Sequence, residues 1–79
     1  MYCIKDIKTK KWLVHRKINK NGRVVSTKES YISGRIYYTI AQAESDFERF
    51  KCGAQFKIVP VTVNRSSHDP HMYTIREIN

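Results

Sequence analysis

Residues 12–25 read Trp12-Leu13-Val14-His15-Arg16-Lys17-Ile18-Asn19-Lys20-Asn21-Gly22-Arg23-Val24-Val25. Two signals in this stretch set the class of fold. The first is alternation. Trp12, Val14, Arg16 and Ile18 fall on one side of an extended chain, and Leu13, His15 and Lys17 fall on the other. That is the period of two of a strand with one buried face. The second is Asn21-Gly22, a hairpin dipeptide, because both residues tolerate positive φ. The chain is therefore expected to return antiparallel from Arg23 to about Ile32, with Val24, Val25, Tyr31 and Ile32 as its apolar anchors. Ser33-Gly34 ends it.

Working outward, Tyr2 to Ile7 reads as a strand with Tyr2 and Ile4 on one face. Lys8-Thr9-Lys10-Lys11 then forms a polar turn. Arg35 to Tyr38 fits either a short strand or an extended approach to a helix. That helix is expected over residues 39–52. Thr39 is its N-cap, and Gln42 three residues later completes a capping box. Ile40, Ala43, Phe47 and Phe50 form one apolar stripe, and Gly53 is expected to end the helix in the left-handed region. Residues 55–63 read as a strand, with Phe56, Ile58 and Thr62 opposite Val59, Val61 and Val63. Pro60 cannot donate to a ladder, so this strand is expected at an edge or with a bulge. A polar loop follows, and 72–78 is a last strand with Tyr73 and Ile75 inward. The expected architecture is α+β: a single helix packed on a mostly antiparallel sheet of four or five strands, in two layers. Trp12 is expected at the centre of the sheet–helix contact.

The chain has 79 residues, the size of one small domain spanning 1–79. Lys and Arg number 15 against 7 Asp and Glu, a net charge of +8. The excess is confined to the basic hairpin region, residues 1–35, where ten cations face only Asp6 and Glu29. Residues 36–79 balance. No apolar run approaches the roughly 18 residues of a membrane span, and Met1-Tyr2-Cys3-Ile4-Lys5-Asp6 lacks a signal-peptide core. Two cysteines, Cys3 and Cys52, make no disulfide framework and read as reduced thiols of a cytoplasmic protein. The 41% hydrophobic content excludes a disordered basic tail.

The cations Lys8, Lys10, Lys11, Arg16, Lys17, Lys20, Arg23, Lys28 and Arg35 sit on expected hairpin strands and turns. Such a cluster attracts polyanions, because each neutralised phosphate releases counterions. A basic two-stranded ribbon also fits a major groove. Tyr2, Trp12, Tyr31, Tyr37 and Tyr38 interleave with the charge. Tyr37 and Tyr38 are adjacent, so one of them is expected to be exposed. His68, Asp69 and His71 lack the paired spacing of a zinc site, and no metal or cofactor is expected. Cys52 at a helix C-terminus is a poor thiolate site, and Glu44, Asp46 and Glu48 read as solubilising charges. No enzyme is expected.

Tyr2-Cys3-Ile4-Lys5, the turn Lys8-Thr9-Lys10-Lys11-Trp12, the helix start Thr39-Ile40-Ala41-Gln42-Ala43-Glu44 and the strand Phe56-Lys57-Ile58-Val59-Pro60-Val61 together resemble small accessory proteins of tailed bacteriophages. The order of three strands and a helix is also similar to the arm-type DNA-binding domain of phage and transposon integrases. That resemblance implies a sheet laid in the major groove, with Lys11, Arg16, Lys17, Arg23 and Lys28 as its contacts. The chain departs from it in carrying two further strands and no catalytic domain. The expectation is a non-enzymatic basic module that binds nucleic acid, or a host machine that handles it. The alternative is an inhibitor of a host defence nuclease, of the anti-CRISPR kind, acting on an acidic protein surface or a nucleoprotein complex. No membrane partner is expected.

Overall fold

The computed structural model describes residues 1–65 and 73–78. Five strands and one helix follow the order β1 (Tyr2–Asp6), β2 (Trp12–Ile18), β3 (Val24–Ser30), α1 (Ile40–Arg49), β4 (Phe56–Arg65) and β5 (Tyr73–Glu77), with a 3-10 turn at Gly53–Gln55 before β4. The strands form one sheet in the order β3-β2-β1-β4-β5, and every pairing is antiparallel. The fold is α+β, as its sequence leads one to expect.

β4 is not an edge strand. Its first half pairs with β1 and its second half with β5. Pro60 stands at the handover. Tyr2, opposite Pro60, turns its own N–H and C=O away to Tyr37 (2.7 and 2.8 Å). Pro60 therefore owes β1 no bond, and its carbonyl accepts from the Ile78 N–H beyond the end of β5 (2.9 Å). A missing N–H costs least at such a place.

β1 and β2 pair only at Lys5–Trp12 and then splay apart. The segment 35–37 runs in the gap: Arg35 N–H donates to Leu13 O (3.1 Å), and Tyr37 bridges Tyr2. This segment is the extended approach to the helix. Gly34 permits the close passage, since a Cβ there would stand 2.6 Å from Trp12 Cβ. The β2–β3 hairpin consequently departs from β1 as a ribbon, and the molecule is elongated, 44 × 23 × 22 Å.

Both faces of the sheet carry apolar side chains. Ile4, Leu13, Tyr37, Ala43, Phe50, Cys52 and Phe56 form the core under the helix, with Tyr2, Phe47 and Ile58 at its margin. Cys3, Trp12, Val59 and Val61 form a second core on the other face, joined by Ile36, Val63 and Ile75. Trp12 is thus a core residue, but on the face away from α1, and Leu13 takes the place expected of it. The alternation of β4 is as expected, with Phe56 and Ile58 opposite Val59, Val61 and Val63.

α1 starts where its capping residues place it. Thr39 Oγ1 accepts from Gln42 N–H (3.2 Å), and Gln42 Oε1 accepts from Tyr38 N–H (3.2 Å). Ile40 is exposed rather than part of the buried stripe. The helix also ends earlier than expected, at Arg49. Gly53 is left-handed as expected (φ 58°), but Lys51, two residues earlier and also left-handed (φ 52°), is the residue that closes the helix. Cys52 N–H then reaches Phe47 O (3.1 Å) and Lys51 N–H reaches Glu48 O (3.0 Å), the pair of bonds of a Schellman motif. Gly53 instead opens the 3-10 turn.

Candidate polyanion-binding surface

The ribbon tip is built by Asn19. Its carbonyl accepts from Gly22 N–H (3.0 Å), and its Oδ1 accepts from the N–H groups of Asn21 (3.0 Å) and Arg23 (2.9 Å). Only Gly22 has positive φ here (78°). The loop is therefore a turn followed by one left-handed glycine, not the two-residue form that Asn-Gly implies. It leaves Lys20 and Arg23 in solvent.

Two register shifts shape the ribbon. Leu13 faces Glu29 while His15 faces Lys28, so Val14 is an extra residue in β2; Lys17 faces Ser26 while Ile18 faces Val24, so Val25 is extra in β3. Such bulges re-aim the side chains that follow. The first reverses the parity of β2, so Leu13 and Arg16 are both buried although they are three residues apart. Arg16 Nη1 donates to Phe50 O and Lys51 O (3.1 Å each), and its Nε donates to Thr27 Oγ1 (3.0 Å). Its guanidinium lies 4.8 Å from the centre of the Phe56 ring. Arg16 is therefore a helix-capping cation and leaves the outward set.

Thr27 shares the Arg16 face, so alternation places Ser26 and Lys28 on the other. Lys17, opposite Ser26, joins them. Lys17, Lys20, Arg23 and Lys28 are all exposed. Among the described residues none of the four has a carboxylate partner, whereas Lys5 and Lys57 pair with Glu77, and Arg35 and Arg49 pair with Asp46. The ribbon thus carries a group of four neighbouring cations without a carboxylate partner among the described residues. β3 is exposed along most of its length, and Val24, Val25, Tyr31 and Ile32, expected as anchors, all stand in solvent.

Lys8, Lys10 and Lys11 lie at the other end of β2, roughly 20 Å from the tip for a strand of this length. Lys11 sits over the Tyr31 ring (5.1 Å). Lys10 itself adopts positive φ (67°). Asp6 organises this turn from a fully buried position. Its Oδ1 accepts from Lys8 N–H (2.8 Å) and Thr9 N–H (3.1 Å), and its Oδ2 accepts from Gln55 Nε2 (3.1 Å). Burial opposes its ionisation, but the N–H groups of Thr9 and Lys8, with Glu29 and Gln55, outweigh burial and hold the carboxyl below its usual range. Glu29 accepts from Thr9 Oγ1 (2.7 Å). Burial, with Asp6 beside it, pushes this carboxyl up.

Arg35 stands apart from the ribbon, beside α1, 3.6 Å from Asp46. In its place the tip gains Lys51, whose ammonium lies so near Gly22 that a Cβ there would come within 2.6 Å of it. Nothing near Lys51 in the sequence announces this, because its place depends on how the helix end meets a turn some thirty residues away.

Cys3 and Cys52 are buried, free thiols. Burial pushes Cys3 up to about 11 and raises Cys52 as well, so both stay protonated. Tyr37 is buried and Tyr38 exposed. His68, Asp69 and His71 lie outside the described residues. Among the described residues no three His, Cys, Asp or Glu side chains are grouped to hold a metal, and no helix is long and apolar enough to cross a membrane. No protein-family model, curated protein or solved structure matches the chain.

Proposed function

We propose that the chain is a non-enzymatic, basic binding module that grips nucleic acid with its β2–β3 ribbon, of the kind phages and mobile elements carry to regulate or block host machinery in the bacterial cytoplasm. The observation that carries this reading is the set of four exposed, unneutralised cations, Lys17, Lys20, Arg23 and Lys28, on a ribbon that leaves the body of the sheet. Lys8, Lys10 and Lys11 extend the basic surface to the far end of β2. That span exceeds a major groove about 12 Å wide. Phosphate contacts by lysine position a protein without reading bases, so sequence preference is weak.

Electrophoretic shifts with duplex DNA, single strands and RNA test the proposal. Four phosphate contacts make affinity fall about a hundredfold between about 50 and 200 mM salt. Changing Lys17, Lys20, Arg23 and Lys28 together to Gln abolishes binding and leaves the fold intact. Affinity that ignores salt overturns the reading.

One observation favours a second reading. Val24, Val25, Tyr31 and Ile32 are 42%, 57%, 68% and 69% exposed along and beyond the edge strand, and phosphates make no use of them. A protein surface would. In that case the ribbon meets an acidic partner, such as a host defence nuclease. Capture of a partner that survives nuclease treatment, and is lost with Val25→Lys, decides for it.

A further inference from the structure

Beside α1 is a cleft of about 540 Å³, bounded by segment 35–37 and the helix. It adjoins the base of the ribbon, since Arg49 also borders a surface formed by His15, Arg16, Lys17 and Ile18, but none of Lys17, Lys20, Arg23 or Lys28 lines it. Its one carboxylate, Asp46, is fully engaged. Asp46 Oδ1 forms an ion pair with Arg49 Nη2 (2.8 Å). Asp46 Oδ2 accepts from the Tyr37 hydroxyl (2.7 Å) and faces Arg35 Nε (3.6 Å). Both guanidiniums also lie against the Phe50 ring, at 5.7 Å for Arg35 and 4.7 Å for Arg49. Two arginines are thereby held together by one acid and one ring.

The donors that remain are many. Arg35 contacts Asp46 through Nε and Arg49 through Nη2, so each keeps part of its planar fork. Gln42 uses its Oε1 on Tyr38 N–H, which leaves its amide NH₂ as a donor toward the cleft that it lines. Ser45 adds a hydroxyl. Ala41, from the first turn of α1, lines the same cleft, and that turn carries no acid to offset its positive dipole end. A site rich in donors, with its only carboxylate saturated, suits a tetrahedral oxyanion. Arginine forks match phosphate bidentately.

We propose that this cleft is a phosphoryl-group site, in which Arg35 and Arg49 grip the anion, Asp46 positions them, and Gln42 and Ser45 donate to its remaining oxygens. The phosphoryl group comes either from a free phosphomonoester or from a nucleic-acid backbone. The proposal goes beyond the ribbon reading and stands or falls separately from it.

The test is an NMR titration of the intact chain with inorganic phosphate, following the Arg Nε–H and Gln42 side-chain signals. Saturable one-to-one binding that moves Arg35, Arg49 and Gln42 is expected. Arg49→Lys keeps the charge but loses the fork, and it weakens binding by about tenfold. Arg35→Gln with Arg49→Gln removes binding. The ribbon variant with Lys17, Lys20, Arg23 and Lys28 changed to Gln retains it, even when that variant no longer shifts nucleic acid. A second titration with a single-stranded oligonucleotide lacking terminal phosphates identifies the source. Movement of the same signals assigns the backbone, and movement with inorganic phosphate alone assigns a free phosphomonoester. Shifts that never saturate, binding unchanged in Arg49→Lys, or loss in the ribbon variant equal to that in the double variant overturns the proposal.

Discussion

The Arg16 guanidinium sits where the last carbonyls of α1 would otherwise face the interior without partners. Helix ends leave such groups unsatisfied, and a buried one is expensive. Arg16 satisfies Phe50 O and Lys51 O with one nitrogen, Thr27 with another, and stacks on Phe56. Arg16→Met keeps the apolar stem and leaves both carbonyls bare. The expected loss is about 3 kcal/mol of unfolding free energy, read by denaturant melting. Arg16→Lys does not restore it, since a point charge cannot replace a planar fork. Lys17→Met, one residue along and in solvent, changes stability by less than about 0.5 kcal/mol. Equal losses in the two variants refute the assignment. From the sequence Arg16 is one of nine cations with nothing to mark it. Its fate depends on the extra residue at Val14, and a one-residue slip moves every following side chain to the other face. Simple alternation cannot register such a slip.

The elements themselves were legible to the extent that local chemistry specifies them. Thr39 and Gln42 mark the start of α1 because a cap is a matter of three neighbouring residues. The alternation of β4 survives because both of its faces are covered. The end of α1 was not legible, because glycine is the usual left-handed residue and Gly53 stood nearby. The structure uses Lys51 (φ 52°) instead. A left-handed non-glycine residue costs about 1–2 kcal/mol, and glycine costs about 0.4–1 kcal/mol in extra unfolded-chain entropy. Relief of strain wins, so Lys51→Gly raises stability by about 0.5–1 kcal/mol, or a few degrees in Tm. The exposed contact of its ammonium with the Gly22 turn is too weak to reverse the sign. A melting temperature that falls would show that this contact, not the backbone, governs the position. Pro60 teaches the same lesson at the level of the strand. Its missing N–H excludes one ladder bond, not a whole strand, and the handover from β1 to β5 supplies the place where that bond is not needed.

Among the described residues, four cations of the body, Lys5, Lys57, Arg35 and Arg49, pair with carboxylates, while Lys17, Lys20, Arg23 and Lys28 on the ribbon do not. The two acids of the basic half do not neutralise the ribbon. They are spent at its root, where Asp6 ties the lysine turn to Gln55 ahead of β4, and Glu29 ties β3 to the same turn through Thr9. This arrangement gives stability a pH dependence with opposed signs. The folded Asp6 carboxyl titrates below its unfolded range. Its contribution is therefore present above an unfolded value of about 3.9 and is lost as pH falls through the lower folded value. Glu29 is raised, so its charge weakens the fold as pH rises from an unfolded value of about 4.3 through the higher folded one. Asp6→Asn is accordingly much less stable than the native chain at neutral pH, because the amide cannot accept the same charge-assisted bonds from Lys8 and Thr9. Its deficit shrinks as pH drops below about 4. Glu29→Gln behaves in the opposite way, matching the native chain in acid and gaining on it as pH rises above the unfolded value of about 4.3. Chemical unfolding of the three proteins across this range reads both slopes. Parallel curves for Asp6→Asn and Glu29→Gln would mean that the two carboxyls do not share the root of the ribbon. Divergence with these signs means that the rigid base of the basic surface depends on a buried aspartate kept ionised.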